Sequence, residues 1–346
     1  MNPVNEFETL KCQHGIYESY YFRGNHSDGR HAFWLKHNLL RFKGEKKIRL
    51  DNIFIYFDRS SKSAPLVLQQ SKILSDDEIS KMRNSDWDNF KINFEGDDYF
   101  FIASGKVNGK IGELEWNFKL QRSNVSYFHF DKKWFYRGFF PKKKILTRDI
   151  DLGFSGEIKL KDNTVSGEFK GMNGHNWGKE HAYCYAYADA NQFTDMQGNA
   201  VSAFFDGFSA KIKIAGCKTP YLSSGALLLN HKWYVFNQVL SSYKHEVRQL
   251  DARNWCVSFL SDTHKLEVDI IGTCSEQSIP WVALMYDHPS GRVSKVENTK
   301  FAKAHLRLYE NDQIMSELKT DFFELETLFP RSSFPLSAIY ANRAKM

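Results

Sequence analysis

Residues 171–192 read GMNGHNWGKEHAYCYAYADANQ, and their alternation is lopsided. From residue 181 the odd positions carry His181, Tyr183, Tyr185, Tyr187, Asp189 and Asn191. The even positions carry Ala182, Cys184, Ala186, Ala188 and Ala190. In a β-strand, side chains two apart share a face. The stretch therefore predicts a strand with a nearly all-alanine face that packs closely on its neighbours. The opposite face mixes three phenols with an imidazole, a carboxylate and an amide. That mixture suits the wall of a largely apolar cavity with a few polar groups. It also suits a tyrosine ladder that anchors a core through hydroxyl hydrogen bonds. The piece just before it, GHNWGKEH, packs His175, Asn176, Trp177, Glu180 and His181 between and beyond two glycines. Such groups are costly to bury unless paired, so they form either a ligand site or a hydrogen-bonded junction between domains.

Outward from this stretch the chain reads as β throughout. Alternating or apolar runs at 53–57, 99–103, 113–120, 157–160, 211–214, 266–271 and 305–309 are bounded by Gly, Asn, Asp or Ser. Turn pairs such as Asp28-Gly29, Asn108-Gly109 and Asp162-Asn163 recur between them. One helix is predicted, over 75–84, where Ser75 caps an acidic first turn and basic residues follow. A weak repeat relates 18–35 to 184–205. Each contains an aromatic strand ending in Asn (Asn25, Asn191), a turn, and a second strand with Ala-Phe. The expected fold is all-β, with an N-terminal domain at 1–170 and a C-terminal domain at 171–346.

The segment G-x-x-x-H-N-W-G-x-E-H, here Gly171, His175, Asn176, Trp177, Gly178, Glu180 and His181, is followed by Tyr185 and Asn191. It resembles the lipocalin-like superfamily of carotenoid hydratases, tocopherol cyclases and AttH-like proteins, with fungal lipocalin-like Diels–Alderases as distant relatives. The stretches 139–158 and 17–35 resemble the corresponding parts of that family. The resemblance implies two lipocalin-like β-barrels or half-barrels and an isoprenoid- or polyketide-like ligand. It also implies acid-assisted hydration, cyclisation or isomerisation without a cofactor. Protonating a C=C bond needs a carboxylic acid kept neutral by burial, with aromatic faces for the cation that follows. The acids near aromatics are Asp189, Glu180 and Asp206. Asp189 is the favoured donor, with Glu180 as alternative and His181 beside it. His175, Asn176, Trp177, Tyr183, Tyr185, Tyr187, Asn191 and Asp206 are the expected substrate contacts.

Other classes find little support. No HExxH, CxxC pair, P-loop, GxGxxG or GxSxG occurs, so no metal, nucleotide or hydrolase site is expected. Five well-separated cysteines, Cys12, Cys184, Cys217, Cys256 and Cys274, signal no disulfide framework, and with no signal-peptide pattern at the start the expected compartment is the cytoplasm. The longest apolar run falls far short of the ~20 residues of a spanning helix. A net charge of +6 is too mild to imply nucleic acid. Aromatics make up 15% of the chain, and the basic, aromatic stretch 132–148 reads as solvated turns or as a peripheral membrane contact. The Phe-rich stretch 321–334 reads as a last strand and its docking segment. Two function classes compete: an enzyme acting on an apolar small molecule, and a carrier of one.

Overall fold

The computed structural model describes residues 6–61, 63–138, 140–214, 216–273 and 279–329. Two large antiparallel sheets, each curled into a half-barrel, account for nearly all of it. The first holds the strands from Ile16–His26 to Asn163–Gly178, and the second those from Cys184–Ala190 to Gln313–Leu328. The HNWG residues thus belong to the last strand of the first sheet, and the tyrosine strand opens the second. The helix Asp76–Arg83 is the only one of seven or more residues among the described residues. Its start is fixed by a capping box: Ser75 Oγ accepts from Glu78 N, and Glu78 accepts from Ser75 N at 2.9 Å. No helix among the described residues is long and apolar enough to cross a membrane. The 321–334 stretch supplies strand residues up to Leu328; residues 330–334, like Cys274, lie outside the described residues.

The weak repeat has a topological counterpart. Ile16–His26 lies between the second strand of its sheet, His31–Arg41, and the last, Asn163–Gly178. Cys184–Ala190 likewise lies between Ala203–Lys211 and Gln313–Leu328. The penultimate strand of each sheet is bulged, near Ile150 and near Lys300, and there the two asparagines of the repeat cross over. Asn25 Nδ2 donates to Lys300 O at 2.9 Å, and Asn191 Nδ2 to Ile150 O at 3.3 Å. An irregular strand leaves carbonyls without ladder partners, and a side-chain amide from the other sheet satisfies each of them.

Each half-barrel has its own apolar interior. In the first, Phe54, Phe118, Phe154 and Phe169 pack around Phe33, and Phe54 also meets Trp116. In the second, Ala186, Ala188 and Ala190 face Phe205, Trp255 and Phe323. The alanines are therefore on the inside of the second half-barrel. The opposite faces of the two opening strands meet each other between the sheets.

Candidate functional site

The site grows from that meeting of faces. On the Ile16–His26 strand the even residues Glu18, Tyr20 and Phe22 turn into the first core. The odd residues Tyr21 and Arg23 turn toward the second sheet, where Tyr21 Oη lies 3.4 Å from Tyr187 Oη and Arg23 reaches Asp189. In the second sheet Asp206, Asp189 and Glu324 stand directly opposite one another on three neighbouring strands. All three are essentially inaccessible, at 0%, 0% and 1% exposure. Three adjacent carboxylates repel in a dry setting; two cations serve Asp189 and Glu324, and Asp206 lies beside His129. Arg23 Nε donates to Asp189 Oδ1 at 2.6 Å and lies 3.7 Å from Glu324 Oε2; Lys300 Nζ lies 2.7 Å from Glu324 Oε1. Burial alone would raise the pKa of Glu324, but Lys300 and Arg23 hold it low. Asp189, in the middle of the row, goes the other way. Burial, with the Glu324 and Asp206 charges, outweighs Arg23 and pushes it up to about 8. Asp189 therefore holds a proton more readily than an ordinary aspartate, and its Oδ2 is buried with no hydrogen-bond partner among the described residues.

Tyrosines surround this row. Tyr187 donates to Asp206 Oδ2 at 3.4 Å, an oxygen that also accepts from Thr147 of the first sheet. One register step away, Tyr185 donates to Glu326 Oε1 at 2.6 Å and Tyr286 to Glu326 Oε2 at 3.0 Å. Burial raises the pKa of all three phenols far above the ordinary value, so they act as neutral donors. Tyr17 Oη and Ser19 Oγ are also buried without hydrogen-bond partners among the described residues, while Asp206 Oδ1 lies 3.3 Å from Nε2 of the buried His129. A buried polar group left unpaired costs about 1–3 kcal/mol, so these atoms are the least satisfied part of the contact between the sheets.

The residues expected from sequence are distributed as follows. Tyr185, Tyr187, Asp189, Asn191 and Asp206 are buried in or beside the inter-sheet face. His175 points away from it, into the first half-barrel, where Nε2 lies 2.9 Å from Glu18. Trp177 packs with Ile16, Tyr136 and Leu146, and half-buried Asn176 lies opposite Ser19. Neighbours on a strand alternate faces, so His175 and Trp177 meet on one face, with ring centroids 4.6 Å apart, while Asn176 is on the other. Glu180 is half-exposed on a loop, 2.8 Å from both Lys142 and Arg292, with Lys142 chiefly holding its pKa down. His181 stacks on Tyr17, with ring centroids 4.1 Å apart, and burial drives its pKa well down. Tyr183 precedes the strand, which starts at Cys184, and lies instead against Lys213 and Lys218. A cleft of about 500 Å³ opens elsewhere, lined in part by Asn25, Gln121, Arg122, Glu168 and Gln192; none of the site residues expected from sequence lines it.

Sequence reasoning passed over Arg23, Lys36, Lys300, Glu324 and Glu326. The available signal was a lone charge inside an apolar strand, as in YYFRGN, FWLKHN and FFELETL. The basic stretch 132–148 is also thinner at the surface than its composition suggests. Lys142 pairs with Glu180, Lys144 donates to the Gly138 and Pro141 carbonyls, and Arg148 turns inward to Asp88.

No protein-family model matches the sequence, and no curated protein matches it. Solved structures do match in fold. An AttH protein of Nitrosomonas europaea superposes with a TM-score of 0.52 at 12% identity, over 90% of this chain and 92% of that one. The protein CghA superposes with a TM-score of 0.55 at 8% identity, over 92% and 89%. Kievitone hydratase from Nectria haematococca matches over the same shares with a TM-score of 0.43 at 7% identity. At these identities the likeness is one of fold.

Proposed function

We propose that the protein binds an apolar, isoprenoid- or polyketide-like small molecule between its two half-barrels and hydrates, cyclises or isomerises it by acid catalysis. The observation that carries this reading is Asp189: a buried carboxyl group between two flanking carboxylates, with one oxygen unpaired and its pKa pushed up by burial. Such a group can donate its proton to an alkene carbon. Tyr21, Tyr187 and Trp34 nearby supply aromatic faces for the resulting cation, and the dry surroundings delay its quenching by bulk water. Arg23 then stabilises the carboxylate left behind. The hydratase, cyclase and isomerase chemistry of the family that the HNWG segment resembles is consistent with such a donor.

One observation favours a carrier without chemistry. Arg23 already grips Asp189 Oδ1 with two N–H groups, a link that joins the halves whether or not a proton moves. In that reading, exposed Trp134 with Lys132, Lys133 and Arg137 would meet an anionic bilayer from which the ligand is drawn.

The test begins with organic extraction of the purified protein and mass spectrometry of what is released. That compound is then incubated in D₂O with wild-type and Asp189→Asn protein. A folded variant that binds it but converts and deuterates it about 10²–10⁴-fold more slowly identifies the acid. Equal rates would remove Asp189 from that role. Binding without conversion by either protein would establish the carrier.

A further inference from the structure

Lys36 lies mid-strand in the first sheet, opposite Tyr21, and is 4% exposed. No carboxylate among the described residues forms an ion pair with it. Its ammonium sits between two rings, 4.2 Å from the centre of Trp34 and 4.1 Å from that of Tyr286, and donates to Tyr286 Oη. Tyr286 in turn donates to Glu326, giving an amine–phenol–carboxylate chain across the two sheets. The unpaired hydroxyl of Ser19 is on the same face of the neighbouring strand, one register step away. A lysine in apolar surroundings is a poor place for a charge and a good place for a nucleophile. Burial is the main cause of a Lys36 pKa of about 7. Glu326 and Glu324 oppose the fall, while Lys300 and Lys143 add to it.

Resting on the reading of this interface as a ligand site, we propose that Lys36 is a nucleophilic amine that condenses with an aldehyde or ketone group on the apolar ligand. The nitrogen lone pair attacks the carbonyl carbon, forming the C–N bond while the oxygen takes up a proton. The C–O bond then breaks and both amine hydrogens leave with that oxygen as water, giving the imine with no oxidant or reductant. Tyr286, between the nitrogen and Glu326, is placed to relay the proton, and Ser19 Oγ to hold the carbinolamine oxygen. Tyr21, opposite Lys36, touches Tyr187, two residues from Asp189. A ligand anchored at Lys36 would therefore extend its chain toward the acid.

The full chain is treated with benzaldehyde and sodium cyanoborohydride at pH 7, and benzylated lysines are mapped by peptide mass spectrometry. An ordinary lysine with a pKa of ~10.4 is neutral in only about one molecule in 2,500 at pH 7. Lys36 should be labelled at least ~100-fold faster than exposed Lys132, with a rate that levels off just above neutral pH. Lys36→Arg should lose this fast site. Labelling of Lys36 no faster than Lys132 in the wild-type protein overturns the proposal, a result that needs no variant to fold. Asp189→Asn should keep the fast site, so failure of the acid assignment and failure of the amine assignment are told apart.

Discussion

Glu18 and Asp189 are both buried carboxylates on the strand that opens their sheet, and they are opposites. Glu18 faces the first half-barrel and is fully served. Its Oε1 accepts from Glu8 N at 3.0 Å, Trp87 Nε1 at 2.9 Å and His175 Nε2 at 2.9 Å, and its Oε2 from Thr9 N at 2.7 Å. Burial raises its pKa, but these donors prevail and hold it below the ordinary value. Asp189 faces the other sheet, shares Arg23 with Glu324, keeps one oxygen unpaired and is pushed up instead. Burial is common to both, so donors make the difference. A carboxylate with donors on both oxygens holds a structure together, whereas Asp189 has donors on one oxygen only and two like charges beside it, which raise its affinity for a proton.

The comparison breaks most sharply under amide substitution. Glu18→Gln places an NH₂ among four donors and should cost about 3–5 kcal/mol in urea unfolding, in the range of a broken buried ion pair, with ligand affinity per folded molecule unchanged. A loss below about 1 kcal/mol would mean that Glu18 is not the ionised anchor of this site. Next in size is Lys36→Met, which removes a desolvated amine and retains apolar volume between Trp34 and Tyr286. Stability at pH 7 should rise by about 1–2 kcal/mol, and a fall of that size would show a well-satisfied ammonium.

Asp189→Asn should change stability by less than about 1 kcal/mol at pH 6, because the amide mimics the protonated acid already present. Its signature is in pH dependence. The folded-state pKa of Asp189 lies above the unfolded value, so its stabilising contribution is complete below about pH 4 and declines as pH climbs toward 8. Wild-type protein should lose stability relative to Asp189→Asn between pH 5 and 8. Parallel curves would show that Asp189 is ionised throughout. The smallest effect is expected at Glu180, whose pairs with Lys142 and Arg292 are screened by solvent. Glu180→Gln should stay within about 0.5 kcal/mol and leave ligand binding intact, and a large loss of affinity would restore it to the site.

The legible parts of this protein were those governed by local chemistry. Ser75 and Glu78 predicted the helix start because a capping box closes within one turn. Strand alternation separated the alanine face from the tyrosine face because pleat geometry has a period of two. It misled at Tyr183, where the strand had not yet begun; His181 also precedes the strand but stacks on Tyr17 beside the inter-sheet face, and alternation itself sends His175 to the face opposite Asn176. The repeat pointed to two similar halves, and the crossing of Asn25 and Asn191 is its physical expression.

What the sequence determined by itself was therefore the β class, the two faces of the Cys184–Ala190 strand, and Asp189 as an acid among rings. Tertiary structure alone decided that this acid stands in register with Asp206 and Glu324, faces Arg23 across 166 residues of chain, and has Lys36 and Tyr286 nearby. Register and sheet-on-sheet contact join residues remote in sequence, and the pKa of a buried group depends on the charges and donors so assembled. No window along the chain contains that information. Whether a buried carboxylate keeps its proton is settled by its neighbours in space.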